Sequence, residues 1–292
     1  MYLFEKSREM WCKQPRHPAN SIYGWLILLV CLAAPASLRG QCSSAPQGEI
    51  RANPNRPTVA DPADITEYGV LEMEYGWNHT WLGERPREND FGALLKFSAL
   101  CDLEIRWSPD TLASQGGQKG FGDNWIGAQY RFYHQSHRVP TMAVSYMVKI
   151  PSASAARNLD SGRVDQQIKF LASKDLGATH FDFNASALII GRPVGSGRDS
   201  AAEIDLSFSH PVWNKLGLTG EIYGDTRLNN FVPGFTSTLW ALTYTVTPRL
   251  VVDAGMDTAL TPNAPFRKRF MMGFVYSIGE FYPSLRRRLR TH

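Results

Sequence analysis

The sequence predicts an all-β chain: a transmembrane antiparallel up-and-down β-barrel of about twelve strands, following a cleaved signal peptide. Three observations predict it. From Val70 to Ile278 apolar and polar residues alternate with a period of two, and no sustained 3.6-residue period interrupts them. The connections between the alternating segments switch regularly between long and short, as they do in outer-membrane barrels. Residues 1–40 have the layout of an export signal.

Composition sets the outer bounds. A chain of 292 residues with 43% hydrophobic residues, 8 Trp, 11 Tyr and 15 Phe is too aromatic for intrinsic disorder. Its net charge of +4 is mild, and much of the basic excess lies at the ends, in Lys6, Arg8, Lys13 and Arg16 and in Arg286, Arg287, Arg288 and Arg290. That distribution speaks against a nucleic-acid partner, which calls for a folded basic face. The mean hydropathy of -0.27 excludes a helical membrane protein but says nothing against a barrel.

The first 40 residues run from a basic region ending at Lys13 and Arg16, through an apolar stretch over 22–34, to Ala34-Pro35-Ala36, with cleavage expected near Ala36. Met10 offers a second start. The apolar stretch is shorter than the ~20 residues of a membrane-spanning helix. Residues 41–69, with Pro46, Pro54, Pro57 and Pro62 and no apolar period, read as a periplasmic linker. Of four cysteines, Cys12 and Cys31 leave with the signal. Cys42 and Cys101 then either pair or stay free, and too few remain for a disulfide framework.

The barrel, expected over 70–281, begins with Leu71, Met73, Tyr75, Trp77 and Trp81 on one face and Glu72, Glu74, Asn78 and Thr80 on the other. The second segment sets Leu95 and Phe97 against Lys96 and Ser98, and the third sets Leu103, Ile105 and Trp107 against Glu104 and Arg106. Ile126, Ala128, Tyr130 and Phe132 alternate with Gln129 and Arg131; Val144, Tyr146 and Val148 alternate with Ser145 and Lys149. Then come Val164, Ile168 and Phe170 against Asp165 and Lys169, Phe181 and Phe183 against Asp182 and Asn184, and Ile204, Leu206 and Phe208 against Glu203 and Asp205. Leu218 and Ile222 oppose Glu221 and Tyr223, and Trp240, Leu242 and Tyr244 oppose Ala241 and Thr243. The last two segments set Val252, Ala254 and Met256 against Asp253 and Asp257, and Phe270, Met272, Phe274 and Tyr276 against Arg269 and Ser277. Ten residues at ~3.4 Å each, tilted by ~40°, span roughly 26 Å, which suits an outer-membrane hydrocarbon layer.

Long connections are expected at 83–90, 108–120, 152–162, 191–200, 225–235 and 258–267. Short ones are expected at 101–102, 135–140, 174–178, 210–215 and 247–249. Water gives a soluble sandwich no reason to sort loops by end, whereas barrel insertion does, with short turns in the periplasm. Both termini are therefore expected there, in a bacterial outer membrane. Gly273, Tyr276 and Ile278 resemble the closing-strand signal read by the outer-membrane assembly machinery, and 282–292 form a basic tail.

The inward face holds the candidate functional residues. Acids are Glu72, Glu74, Glu104, Asp165, Asp182, Glu203, Asp205, Glu221, Asp253 and Asp257; their counterparts are Lys96, Arg106, Gln129, Arg131, Lys149, Lys169 and Arg269. Such a set either lines a pathway for a small solute or pairs into a network that plugs a narrow lumen. No catalytic constellation, metal-ligand spacing or cofactor motif accompanies it, so no enzyme activity is expected. A lipid hydrolase needs a His and a Ser on the lipid face, and the nearest approaches, Asn78-His79-Thr80 and Ser209-His210, read as an interfacial-belt histidine and a turn at Pro211.

Several short stretches resemble a known family. They are Arg56-Pro57, Tyr68-Gly69-Val70-Leu71-Glu72-Met73-Glu74, Gly120-Phe121-Gly122-Asp123 before Ile126-Gly127, Gly220-Glu221-Ile222-Tyr223-Gly224, Asp253-Ala254-Gly255 and Leu260-Thr261-Pro262. Together they are similar to the outer-membrane barrel group named for the meta-pathway of phenol degradation, over about 56–281; Ile150-Pro151-Ser152 departs from that group's pattern. The resemblance implies a channel or transporter for small hydrophobic or aromatic compounds, with Gly122, Asp123, Gly220, Glu221 and Gly224 as family positions. The other expectation is a non-conducting structural or assembly barrel. The expected partners are the lipid bilayer, the assembly machinery and a small hydrophobic solute.

Overall fold

The computed structural model describes residues 49–82, 88–115, 117–157, 159–192, 195–227, 233–262 and 264–282. The expected signal peptide, Cys42 and the expected basic tail with Arg286–Arg290 lie outside them.

The strands are β1 (Val70–Trp81), β2 (Glu88–Leu100), β3 (Leu103–Gln115), β4 (Gln118–Gly120), β5 (Asn124–Tyr133), β6 (Thr141–Ile150), β7 (Asp165–Leu176), β8 (Thr179–Gly191), β9 (Arg198–Trp213), β10 (Leu216–Asp225), β11 (Phe235–Thr247), β12 (Leu250–Ala259) and β13 (Lys268–Glu280). Every long strand pairs antiparallel with its sequence neighbours; β1 also pairs with β13 and β2 with β3, so twelve strands close on themselves. The three-residue β4 is the exception. It extends the β3 hairpin, so the long loop expected at 108–120 is in fact continued β-structure.

The two faces are sorted in the reverse of a soluble protein. Ile204 is 58% exposed, Trp240 53% and Leu242 50%, whereas Lys96, Glu72, Glu104, Asp205 and Asp257 are each 0% exposed. In water such a continuous apolar exterior is an aggregation surface; in hydrocarbon it is the low-energy side, and a closed barrel leaves no edge amide unpaired there. Aromatic contacts run round the outer wall, among them Tyr75 with Phe91 and Phe274, and Phe208 with Trp240.

The turns at 101–102, 177–178, 214–215 and 248–249 are tight, and two of them carry left-handed residues, Gly177 (φ 63°) and Asn214 (φ 46°). Such φ values let two-residue hairpins follow the strand twist. Val70 pairs with Glu280, which puts the first strand's start and the last strand's end together.

The stretch expected as a linker is, over 49–69, packed inside the wall. It belongs to one compact unit with the strands, and Ala60 and Ala63 within it are fully buried. Ala63 packs with Ala143 and Leu171 of β6 and β7, and Val59 packs against the Tyr223–Phe235–Phe266 cluster. The barrel's core is this chain segment.

Candidate functional site

Residues 49–69 enter the lumen and return as a loop. Near the tight-turn end the Ala52 amide donates to the Pro248 carbonyl (2.8 Å), and the Gly69 amide donates to the Ser98 carbonyl (2.8 Å). The arms are tied to each other where Asn53 Nδ2 donates to the Asp64 carbonyl (3.1 Å) and Asn55 Nδ2 to Asp61 (2.5 Å).

An extended segment without strand neighbours must find partners for its amides elsewhere. Here inward side chains supply them. Glu72 accepts from the Asn53 amide (2.9 Å), and Glu74 accepts from Asn55 (2.8 Å) and Arg56 (3.1 Å). Glu221 accepts from Val59 (2.9 Å) and Ala60 (2.6 Å), Asn184 from Asp61 (2.7 Å), Ser173 from Ala63 (2.7 Å) and Glu104 from Thr66 (2.8 Å). Pro54, Pro57 and Pro62 have no amide to satisfy, so the proline content taken for a linker signature instead reduces the number of donors to be matched. Carbonyls are met as well: Lys96 Nζ donates to Asn53 (2.5 Å) and Gln129 Nε2 to Pro62 (2.9 Å).

Ion pairs complete the grip. Lys96 sits 2.8 Å from Glu72 and 2.6 Å from Glu74, all three buried. Asp61 meets Lys169 (3.0 Å) and Arg106 (3.4 Å), Asp64 meets Arg131 (3.1 Å), and Arg56 meets Asp253 (3.2 Å). Arg56 also lies against Gly76 and Gly273, where a Cβ would overlap its guanidinium. Glycine is required there by the close approach of a side chain.

The sequence-derived inward residues therefore fall into groups. Glu72, Glu74, Lys96, Glu104, Arg106, Gln129, Arg131, Lys169, Glu221 and Asp253 hold the loop. Lys149 and Asp165 belong to a cluster at the long-loop end, where Lys149 lies 2.7 Å from Asp165, 2.6 Å from Asp160 and 3.3 Å from Asp123. Asp182 accepts from Ser173 (2.5 Å) beside His180 (3.0 Å), and Asp257 accepts from Tyr223 (2.7 Å) and Ser237, with Arg269 at 3.8 Å. Glu203 and Asp205 share the inner face of β9.

The Gly122-Asp123 pair has a local reason. A Cβ on Gly122 would strike Asp110, whose carbonyl accepts the Gly122 amide (2.9 Å). Asp123 Oδ1 accepts the amides of Ser152 (3.1 Å) and Ala153 (3.0 Å), tying the 151–164 loop to the barrel mouth. Burial and a hydrogen bond shared with Asp160 push the Asp123 carboxyl above its ordinary range. Burial also acts to raise Asp160, but its hydrogen bonds from Asp123, Lys149 and the Ser161 amide outweigh that and hold it low. Gly220 is covered on the outer wall by Phe208 and Trp240, and Gly224 lies against the Phe235 carbonyl.

The two histidines weighed as hydrolase candidates take different places. His79 is hydrogen-bonded to Asn89 (2.8 Å) and packs edge-on to Trp81 in the outer aromatic belt. His210 lies within β9 rather than in a turn and contacts Thr179 Oγ1 (2.8 Å), because the strand continues through Pro211 to Trp213. Cys101, in the β2–β3 turn, is disulfide-bonded.

The sequence gives no periodic signal for the loop. What marks it is a set of short polar residues, Asn53, Asn55, Asp61 and Asp64, complementary to the inward charges.

Comparison with known proteins agrees with this geometry. No curated protein sequence matches the chain. In solved structures the fold recurs in an outer membrane channel from Pseudomonas putida F1, at 13% identity and TM-score 0.57, covering 80% of this chain and 99% of that one. It recurs in the NanC porin at 10% identity and TM-score 0.52, covering 71% of this chain and all of that one. The profile described as "Putative MetA-pathway of phenol degradation" matches residues 55–267, a span that takes in residues 55–69 of the lumen loop and eleven of the twelve barrel strands. The chain belongs to that family and is built as an outer-membrane β-barrel.

Proposed function

We propose that the protein is an outer-membrane channel for small hydrophobic or aromatic compounds, with both termini in the periplasm and the 49–69 loop regulating passage. The observation that carries this reading is how the lumen is filled. A barrel kept only as a scaffold is best stabilised by close-packed apolar side chains, yet this one is filled by a strap held through amides and ion pairs. Once water fills the lumen, such groups can exchange their protein partners for water, so release of the strap does not require the wall to unfold. The family's link to phenol degradation supports an aromatic solute, and the similar Pseudomonas putida F1 structure is itself described as an outer membrane channel. The short-turn end, where the first and last barrel strands meet, is the natural periplasmic side. The bilayer and the assembly machinery are the partners this placement requires.

One observation favours a non-conducting barrel: the inner wall is almost wholly buried by the loop. Liposome swelling separates the two readings. Proteoliposomes with the loop residues 53–66 deleted are expected to swell in small aromatic solutes faster than protein-free vesicles. Absence of permeation in both intact and loop-deleted protein overturns the channel reading.

A further inference from the structure

The inner wall is not uniformly charged. Several strands carry two inward charges each, such as Glu72 and Glu74 on β1, Glu104 and Arg106 on β3, and Glu203 and Asp205 on β9. The inner faces of β11, β12 and β13 differ. Their registers set Ala241, Gly255 and Met271 in one cross-strand row and Thr245, Val251 and Val275 in another nearer the tight turns. Between them lies the row Thr243, Asp253 and Gly273, and of these nine residues Asp253 alone is ionisable. Ala241 and Met271 pack with Leu239 in a buried apolar cluster, and Val275 is buried below them. A largely apolar panel thus runs along one side of an otherwise charged lumen.

Toward this panel the loop directs Arg56. Its Nη2 lies 3.2 Å and its Nε 3.3 Å from the Asp253 carboxylate. The guanidinium fills the space over Gly76 and Gly273, which are themselves cross-strand partners. The Arg56 side chain is 19% exposed and that of Asp253 1%, so water-accessible space adjoins the arginine. The loop's ion pairs through Asp61 and Asp64 run instead to Arg106, Lys169 and Arg131 on β3, β7 and β5, and turning Arg56 aside leaves them in place.

An apolar solute pressed against ionised side chains strips their water without offering a hydrogen bond in return, and this panel asks that of one carboxylate only. Moving Arg56 away leaves the buried Asp253 without its countercharge, so the closed arrangement is the favoured one. The freed carboxylate would also repel an anion, which favours neutral solutes. Building on the channel reading above, we propose that neutral hydrophobic or aromatic solutes cross the lumen along the inner faces of β11–β13, and that Arg56, paired with Asp253, is the bar that closes this path.

Planar-bilayer recording of the mature protein in KCl tests it. Arg56→Ala is expected to raise the conductance several-fold over the native protein. Gly76→Leu added to Arg56→Ala should return it to the native level, because the three atoms nearest a Cβ at Gly76 all belong to Arg56 and the new side chain refills the emptied space. Phenol at millimolar concentration should reduce the Arg56→Ala current, and glucose at the same concentration should not. Should Arg56→Ala fail to fold, Arg56→Ser empties the same space. Native-level conductance of the folded variant overturns the proposal. So does a current that Gly76→Leu leaves unchanged, which would place the path elsewhere, or equal block by the two solutes. The variant lacking residues 53–66 separates the causes. If it conducts while Arg56→Ala does not, the bar is wrong and the channel reading stands; if neither conducts, the channel reading has failed as well.

Discussion

Lys96 is the position at which the account is most exposed. Its ammonium faces Glu72 and Glu74, the Asn53 carbonyl and Asn55 Oδ1 within 2.5–2.8 Å, in surroundings from which water is excluded. Lys96→Met keeps the stem's bulk and removes the charge. Glu72 then retains the Asn53 amide and Ser277 Oγ, and Glu74 the amides of Asn55 and Arg56, but both lose the ammonium with which they formed their ion pairs. Breaking a buried pair in this way costs about 3–5 kcal/mol. The expected loss, read by urea unfolding from lipid vesicles with tryptophan fluorescence, is therefore about 3–5 kcal/mol. Part of it should return when Glu74→Gln is added, because the second change removes one orphaned charge. The same variant should free the loop, so that a cysteine placed at Val59 reacts with a maleimide at least ten-fold faster than in the Lys96 background. A loss below about 1 kcal/mol with unchanged labelling would refute the claim that Lys96 holds the loop.

Three further outcomes follow from other parts of the structure. Arg at outward Leu242 should destabilise by about 2–4 kcal/mol in vesicles if that position lies near the midplane, whereas Arg at inward Thr243, beside Asp253, should be tolerated; equal sensitivity would refute the assignment of faces. Asp160 is held below its ordinary carboxylate value, so its contribution to anchoring the 151–164 loop is present above about pH 4 and lost as pH falls further. Hydrogen exchange should accordingly show that loop loosening in acid, with Asp160→Asn loose already at neutral pH. Cys101 is disulfide-bonded, and the signal cleavage expected near Ala36 would leave Cys42 as the other cysteine; peptide mapping without reductant should then recover the Cys42–Cys101 pair, and alkylation of Cys101 in folded protein would contradict it.

Much of the wall was legible in the sequence because a barrel's period of two has one physical cause on each side. Lipid selects Trp240, Leu242 and Tyr244, and the enclosed lumen selects the polar residues between strands' outward positions, so the alternation is strict enough to read face by face. The extension of β3 through Pro109 to Gln115 was less readable, since proline and the Ser-Gly-rich stretch that follows look like a loop until their pairing with Gly120 and Lys119 is known. His210 was misplaced for the same reason: Pro211 reads as a turn but sits within β9.

The lumen loop escaped because its partners are distant in sequence. Asn55 and Glu74 are 19 residues apart, but Ala60 and Glu221 are 161, and Arg56 and Asp253 are 197. A segment stabilised by such contacts has no period of its own. Its prolines and short polar residues look identical whether water or inward carboxylates receive the backbone. The acids and bases of the wall were recognised as a set, but which of them grip the loop and which, like Glu203 and Asp225, face one another depends on register, and register appears only in the fold.

Single-channel recording in planar bilayers tests the central claim most directly, comparing the intact mature protein with the variant lacking residues 53–66. A lumen closed by a removable strap predicts little or no steady current from the first and a several-fold larger conductance from the second, with the variant still folded by heat-modifiable mobility. Equal conductance from two folded proteins would mean that the strap does not occupy the conducting path, and the account would fail.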